Sequence, residues 1–186
     1  MQATMHISGA ASMTTADRAT PTGLDLVFQK HKEMIFRAAY RVTGNASDAE
    51  DVLQSVFLRL SRLEEMPEVV NLPGYLHRSA VNASLDILRT RKDSSTISLD
   101  ETPDYPGVLS GENAARSLEL QDWLRQALAR VNPKWAEMFV LRFVEDYSNR
   151  EIAGMMKTSA AVVAVVLHRT RALLKKDFMA STRGPQ

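Results

Sequence analysis

The segment from residue 93 to residue 115 constrains the fold of this chain more than any other feature. It is rich in serine, threonine, proline and glycine, and it carries five acidic residues and no lysine or arginine. A stretch of this composition, interrupted by Pro103 and Gly111, is too polar to pack into a core and is typical of a flexible linker. The sequence therefore predicts an acidic flexible linker over 93–115, which divides the chain into two domains at 23–92 and 116–180.

Apolar side chains recur at three- and four-residue steps in the first domain, which indicates α-helices. One helix begins near Leu24 and ends at Gly44. A capping box from Ser47 to Glu50 predicts the start of a second helix, and Pro73 fits the first turn of a third. The apolar stripe of this third helix consists of Leu76, Ala80, Ala83 and Ile87. The first domain is thus predicted to be a small helical bundle.

The second domain also shows only helical periodicity. The pattern resumes at Leu120 and stops at Asn132-Pro133, a pair that can cap and start the next helix. A second capping box at 148–151 opens a short helix, and a last helix at about 160–178 is basic toward its end. Two helices joined by a short turn in this way are typical of a helix-turn-helix. The predicted fold is therefore all-α, with two small helical bundles joined by the flexible linker.

The charge is distributed unevenly along the chain. Residues 116 to 186 carry 12 lysines and arginines against 7 acidic residues, a balance of +5, whereas the linker carries −5. Such asymmetry is typical of a nucleic-acid-binding domain attached to a solvated linker, although a basic surface has other causes as well.

The remaining composition indicates a soluble cytoplasmic protein. The longest apolar run, at 160–167, has eight residues, far fewer than the roughly 20 that span a bilayer. Residues 1–22 lack the features of a signal peptide and are predicted to be a disordered tail, and 181–186 form a second tail. The absence of cysteine excludes disulfides and thiolate metal sites and suits a reducing compartment.

Signatures of catalysis are missing from the sequence. It contains no GxGxxG, GxxxxGK[ST], HExxH or GxSxG pattern, and its four histidines are scattered rather than spaced as metal ligands. The acidic group at 48–51 lies in the first turn of a helix, where carboxylates interact favourably with the helix dipole. We therefore expect no enzyme activity, no cofactor, no metal site and no small-molecule substrate.

Three segments, in order, resemble the extracytoplasmic-function sigma factors of the sigma-70 family. DAEDVLQSVFLRL at 48–60 resembles their core-binding segment, and PGYLHRSAVNASLDILR at 73–89 resembles their minus-10 recognition helix. EIAGMM at 151–156 and HRTR at 168–171 resemble their minus-35 helix-turn-helix. The resemblance implies sigma region 2 at 23–92, region 4 at 116–180 and the function of an alternative sigma factor. It further implies three partners: RNA polymerase core, promoter DNA and an inhibitory anti-sigma factor.

The resemblance assigns five residues to the surface that binds the polymerase clamp helices. They are Asp48, Glu50, Asp51, Gln54 and Phe57. A helix face rich in carboxylates suits a basic partner helix. Phe57 also lies on the apolar stripe of its helix, and for this residue internal packing is the favoured interpretation.

The resemblance also assigns a minus-10 DNA-binding set. Its members are Tyr75, Arg78, Asn82, Arg89, Arg91 and Lys92. The loop at about 64–72 matches the family's specificity loop, which captures a flipped base. An aromatic ring at 75 can stack and an amide at 82 can read a base edge, although both residues are equally compatible with structural roles. The cations at 89, 91 and 92 favour phosphate contacts over base-specific ones.

The minus-35 set comes from the last helix. Its members are Ala164, Val165, His168, Arg169, Arg171 and Lys175. The helix departs from the family, which commonly has polar or basic residues at the positions of 164–166. Alanine and valine can touch a thymine methyl but cannot form the bidentate bonds that discriminate guanine. Phosphate contacts are therefore expected to outweigh base reading, unless the apolar run packs on its own domain, on a second copy or on an inhibitory partner.

Two rival functions stay open from the sequence. One is a helix-turn-helix regulator that acts without polymerase core, and the other is a protein-binding sigma relative whose DNA reading is weakened. Promoter-directed RNA synthesis separates them from a sigma factor, because neither rival converts core polymerase into an initiating enzyme.

Overall fold

The structure, a computed structural model, describes residues 23–62, 71–93 and 112–182. Within these residues there are seven α-helices and no strand. The helices are α1 Gly23–Thr43, α2 Ala46–Ser61, α3 Leu72–Asp93, α4 Glu112–Arg130, α5 Pro133–Phe143, α6 Asn149–Met155 and α7 Ala160–Ser181. The predicted all-α class is confirmed. The predicted tail at 1–22, most of the loop at 64–72, most of the linker and the end of the C-terminal tail lie outside the described residues.

Helices α1 to α3 form the first bundle around fully buried apolar side chains such as Ile35, Val52 and Leu76. Gly44 ends α1 in the left-handed region, at φ +70°, with its amide donating to Tyr40 O at 2.8 Å. Glycine suits this position because it has no Cβ to clash there.

The start of α2 differs from the prediction. Asn45, not Ser47, is the N-cap, and its side chain accepts a hydrogen bond from the Asp48 amide at 2.9 Å. The helix therefore begins at Ala46, and Ser47 lies exposed within its first turn. Asparagine caps helices at least as well as serine. Asn45 directly follows the turn at Gly44, so it precedes Ser47 as the first residue able to cap the helix.

The local signals in the second bundle act as predicted. Asn132 caps α5, which has Pro133 in its first turn, and Ser148 and Glu151 form the capping box of α6. Ser159 caps α7, which continues to Ser181 rather than ending near 178.

Among the described residues no single helix is long and apolar enough to cross a membrane. Only α6 and α7 taken together, bent by 107°, meet the length and composition required.

The predicted linker is longer than the segment that separates the helices. Helix α3 continues to Asp93 and α4 begins at Glu112, so helical structure extends into both ends of the segment 93–115. The start of α4 was missed because its residues from 115 to 120 are mostly exposed to solvent. An exposed helix segment can be polar on most of its sides and then shows no apolar stripe. It is still favoured as a helix by alanine, arginine and leucine, which have good helix propensity.

The two bundles are not independent, because α3 is buried on two sides. Leu76, Ala80 and Ala83 face α1 and α2, as the predicted stripe requires. A second stripe, Val81, Leu85 and Leu88, joins a core cluster whose other members come mostly from α4, α5, α6 and α7. The prediction of two bundles connected only by a linker rested on the first stripe alone and is therefore incomplete.

Replacement of Leu85 by alanine tests this shared core. Leu85 is fully buried, and loss of such a side chain lowers the free energy of unfolding by about 2–5 kcal/mol because it leaves a cavity. The matched control is Leu58→Ala on the exposed side of α2, with an expected change within about 0.5 kcal/mol. Urea denaturation measures both. A change at Leu85 as small as that at Leu58 would show that α3 does not pack against the second bundle.

Candidate nucleic-acid interface

An acidic face on α2 points into solvent. Helix α2 buries Ala49, Val52, Val56 and Leu60 against its neighbours. Glu50, Asp51 and Gln54 consequently lie exposed on the opposite side. These three residues of the predicted polymerase-binding set form a polar surface with two carboxylates that is accessible to a partner.

Asp48 and Phe57 do not belong to this exposed face. Asp48 is buried, and its carboxylate accepts a hydrogen bond from Arg91 Nη2 at 2.7 Å, which links α2 to α3. Phe57 is half-buried and packs edge-to-face on Phe28, with 4.8 Å between ring centroids. Asp48 therefore lies outside the exposed face of α2, and Phe57 packs within the first bundle.

The predicted minus-10 residues on α3 divide into exposed and engaged side chains. Tyr75, near the start of the helix, is 38% exposed, and Lys92, near its end, is exposed. Arg89 donates to Asp86 at 2.8 Å, and Arg91 is held by Asp48. Arg91 is nevertheless 40% exposed at its side chain, so pairing does not remove it from the surface.

Arg78 and Asn82, in the middle of α3, contact a carboxylate of the second bundle. Arg78 Nε and Asn82 Nδ2 both donate to Glu137 Oε1 on α5, the latter at 3.0 Å. Arg78 Nη1 also donates to Met155 O at 2.9 Å. The Glu137 side chain is only 5% exposed. Two predicted DNA-binding residues therefore lie in the contact between the two bundles.

A second polar group closes the same contact beside the first. His77 Nε2 lies 2.6 Å from Glu145 Oε2, and His77 Nδ1 lies 2.6 Å from the Tyr147 hydroxyl. Arg41 of α1 donates to the same Glu145 oxygen at 3.0 Å. Burial, followed by the charges of Glu145 and Glu151, raises the pKa of Tyr147, so its hydroxyl stays protonated at neutral pH.

Glu137, Glu145 and Tyr147 were not among the predicted site residues, and His77 was predicted only as an isolated histidine. One feature of the sequence does indicate a buried polar contact. Glu137 lies between Ala136 and Met138 in a largely apolar helix, and a buried carboxylate requires a charged or hydrogen-bonding partner. The partners of Glu137 are distant in sequence. An acidic residue in an apolar helix therefore indicates that a partner exists but does not identify it.

The predicted minus-35 residues all lie on the exposed side of α7. Val163, Leu167, Thr170 and Leu174 face inward at helical spacing. The exposed residues are Ala164, Val165, His168, Arg169, Arg171 and Lys175. The apolar run at 160–167 is therefore divided, since Val162 and Val165 remain 48% and 50% exposed. Packing within its own domain accounts for only part of this run.

Arg171 is additionally positioned by an aromatic ring. Its guanidinium carbon lies 5.5 Å from the ring centroid of Phe143 at the end of α5, within the range of a cation–π interaction. This contact leaves the charge of Arg171 at the surface. Among the described residues, no group of three histidine, aspartate or glutamate side chains is placed to hold a metal ion.

Comparison with known proteins identifies two family regions in the chain. The sigma-70 region 2 model matches residues 27–94, and the sigma-70 region 4 model matches residues 121–174. The RNA polymerase sigma-E factor of Streptomyces coelicolor is 30% identical over 80% of this chain and 82% of its own length. The chain therefore belongs to the extracytoplasmic-function sigma factors of the sigma-70 family.

Two further comparisons are more distant or less complete. The extracytoplasmic-function sigma factor SigE of Mycolicibacterium smegmatis is 31% identical over 89% of this chain, which spans 65% of that relative's length. Among solved structures, the sigma factor RpoE of Bartonella quintana, crystallised with the anti-sigma factor NepR, is similar at 18% identity and a TM-score of 0.49. That match covers 81% of this chain and 93% of the solved one.

The capping box of α6, which begins the helix-turn-helix, makes a prediction about pH. The Ser148 hydroxyl and amide donate to Glu151 Oε2 at 2.6 and 2.8 Å. These bonds, the hydroxyl's first, lower the pKa of Glu151. The stabilising contribution of this carboxylate is consequently complete above the ordinary glutamate range and is lost as pH falls through the lowered pKa.

We expect Ser148→Ala to raise the pKa of Glu151 toward its ordinary value, as measured by NMR titration of the side-chain carboxyl. Ser159→Ala is the matched control, because Ser159 caps α7 through the Val162 amide and does not contact Glu151. An unchanged titration of Glu151 in the Ser148 variant would contradict the capping geometry.

Proposed function

We propose that this chain is an alternative sigma factor that directs core RNA polymerase to specific promoters and promotes initiation. In this proposal residues 23–92 act as region 2 and residues 116–180 as region 4. The observation that carries it is the presence of both sigma-70 regions, in order, in one chain. Family membership favours this function over that of a regulator that works without polymerase core.

Core polymerase is proposed to bind the exposed acidic face of α2. Glu50, Asp51 and Gln54 present two carboxylates and an amide to solvent, which suits a basic helical partner. Asp48 supports this face indirectly, because its ion pair with Arg91 fixes α2 against α3. Phe57 supports it by packing on Phe28.

Helix α3 is proposed to bind the minus-10 strand. Tyr75 offers a ring for base stacking at one end, and Lys92 offers a charge for phosphate at the other. Arg78 and Asn82 lie between them, and the side chain of Arg78 is 36% exposed beside its contact with Glu137. Arg89 and Arg91, which are paired with Asp86 and Asp48, contribute positive charge to the same helix. Binding unstacked bases would couple recognition to melting, so the protein acts without chemical catalysis of its own.

Helix α7 is proposed to contact the minus-35 element mainly through phosphates. Its exposed cations Arg169, Arg171 and Lys175 can neutralise backbone charge, and His168 adds a hydrogen-bonding group. Ala164 and Val165 offer only apolar contact to bases. We further propose that the protein works in the cytoplasm, where polymerase and promoters are, and that an anti-sigma factor inhibits it.

Transcription by purified core polymerase supplemented with this protein, on a randomised promoter library, tests the function. We expect transcripts enriched at minus-10 positions and only weakly enriched at minus-35 positions, because α7 presents few base-reading groups. Core binding without transcripts would favour a protein-binding relative that has weakened DNA reading. Absence of core binding would overturn the sigma assignment.

Charge reversal on α2 tests the polymerase-binding face. Asp51→Lys is expected to weaken core binding roughly tenfold or more, because it places a like charge against a basic partner. Glu119→Lys, on the exposed side of α4, makes the same change in net charge and should leave core affinity unaltered. Equal effects of the two changes in a fluorescence titration would argue against the α2 face.

Truncation of α7 side chains separates phosphate contacts from base contacts. Arg169→Ala and Lys175→Ala should each weaken promoter binding by the polymerase complex similarly on all sequences and reduce the salt slope by about 1. Val165→Ala should leave the salt slope unchanged and act only at individual bases. A strong base-specific effect of Arg169→Ala would contradict the phosphate assignment.

A further inference from the structure

The first two turns of α7 present two valines that the core of the protein does not use. Val162 and Val165 are 48% and 50% exposed, whereas Val163 between them is fully buried. We propose that this valine pair binds the C5-methyl group of a pyrimidine, thymine or 5-methylcytosine, in the major groove of the minus-35 element. The inference rests on the proposed function and deepens it, because it names the chemical group that α7 recognises.

Helix stability does not account for the valine pair. Valine is a poorer helix former than alanine, because its branched Cβ restricts the side chain against the preceding turn. Burial usually offsets this disadvantage, but the side chains of α7 that face the core are Val163, Leu167, Thr170 and Leu174. Val162 and Val165 are thus available for contact with an apolar group outside the protein.

Charge on the same side of α7 favours DNA as the source of that group. Val162, Val165 and Arg169 follow one another at steps of three and four residues, so they lie on one side of the helix. Lys176 is exposed one turn and a half beyond Arg169. A second copy of α7 on this side would bring like charges together, whereas DNA carries phosphates beside its base edges.

The position of the valine pair along α7 matches the part of a recognition helix that enters the groove. Helices α6 and α7 meet at 107° across a short turn, within the range of roughly 90–120° for a helix-turn-helix. In that motif the N-terminal residues of the second helix contact base edges. Arg169 lies roughly 10 Å farther along the axis than Val162, which places its charge toward the phosphates.

Valine selects among base edges because its side chain neither donates nor accepts a hydrogen bond. Close contact with the polar edge of guanine or adenine would leave base atoms without water and without a partner. The C5-methyl group is the apolar feature of the major-groove edge, and 5-methylcytosine carries it at the same ring position as thymine. In a helix valine strongly favours one rotamer, so its own methyl groups are held in place before DNA binds.

A methyl contact gives a modest preference between bases. Burial of one methyl group changes an affinity roughly fourfold, whereas a bidentate contact to guanine changes it by about five- to a hundredfold. A reader of methyl groups therefore produces weak enrichment in the minus-35 element, which agrees with the expectation for the transcription library.

Removal and addition of single methyl groups on the DNA test the proposal. The complex of core polymerase with the full chain is titrated with a promoter duplex taken from the transcription library. In one series each minus-35 thymine, on either strand, is replaced in turn by deoxyuridine, which pairs with adenine but lacks the C5-methyl group. In a second series each minus-35 cytosine is replaced in turn by 5-methylcytosine. The same replacements in the spacer are the control on the DNA side.

We expect a methyl group at one or two minus-35 positions to strengthen binding roughly threefold to fourfold, with no change in the salt slope, because no phosphate contact changes. A response in one series identifies that base as the source of the methyl group. No response in either series, from a complex that initiates transcription, would overturn the inference and leave the sigma function intact. Absence of transcription on every template would overturn both.

Substitution of the valines connects the methyl response to α7. Val162→Ala and Val165→Ala remove protein methyl groups and raise helix propensity, so the fold is retained. In at least one of these variants the ratio of affinities for methylated and unmethylated duplexes should fall toward one. Leu173→Ala is the matched control, because Leu173 lies on the same helix beyond the first two turns and is also 50% exposed.

The control variant should keep the wild-type ratio. A wild-type ratio in both valine variants would overturn the inference, because the methyl response would then arise elsewhere. If these variants instead change self-association or the affinity for core polymerase while the ratio stays unaltered, the valine pair contacts a protein, and the inference is likewise overturned. Analytical ultracentrifugation and the core titration distinguish these two cases.

Discussion

Burial of α3 on two opposite sides is the constraint on which the rest of the structure depends. One stripe of this helix completes the core of the first bundle, and the other, centred on Leu85, completes the core of the second. The remaining sides of the helix carry Arg78, Asn82 and His77, whose polar groups need partners at the same contact. Glu137 and Glu145 supply them. Packing and charge pairing thus act together to hold a helix that also carries the proposed DNA-binding residues.

The polar and the apolar parts of the contact contribute differently to its free energy. Removal of one partner from a buried ion pair is strongly unfavourable, because the other charge remains buried and unpaired. Separation of two bundles is different, since both charges return to water together. The polar part of the contact therefore adds specificity to the way the bundles pack, whereas the apolar stripe supplies most of its free energy.

Local signals in the sequence predicted most of the helices, and distant pairings account for what it did not predict. Asn132 and Ser148 act within three residues of their own helix starts. Their residue types are therefore sufficient to predict where α5 and α6 begin. At α2 the predicted cap was Ser47, but Asn45, which follows the glycine turn, caps the helix instead. The partner of Arg78 is 59 residues away, and no local pattern identifies such a pair. The sets on α2 and α7 came from the family resemblance, and helical spacing only separates their exposed members from buried ones; neither indicated that α3 is covered.

Gly44 meets two separate requirements. Its positive φ ends α1, and glycine adopts this conformation without strain, whereas asparagine adopts it only occasionally. The guanidinium of Arg125 on α4 also lies where a Cβ of residue 44 would be. Any side chain there would displace the flexible end of Arg125. The missing side chain of one glycine therefore both turns the chain into α2 and leaves the space into which a residue of the second bundle extends.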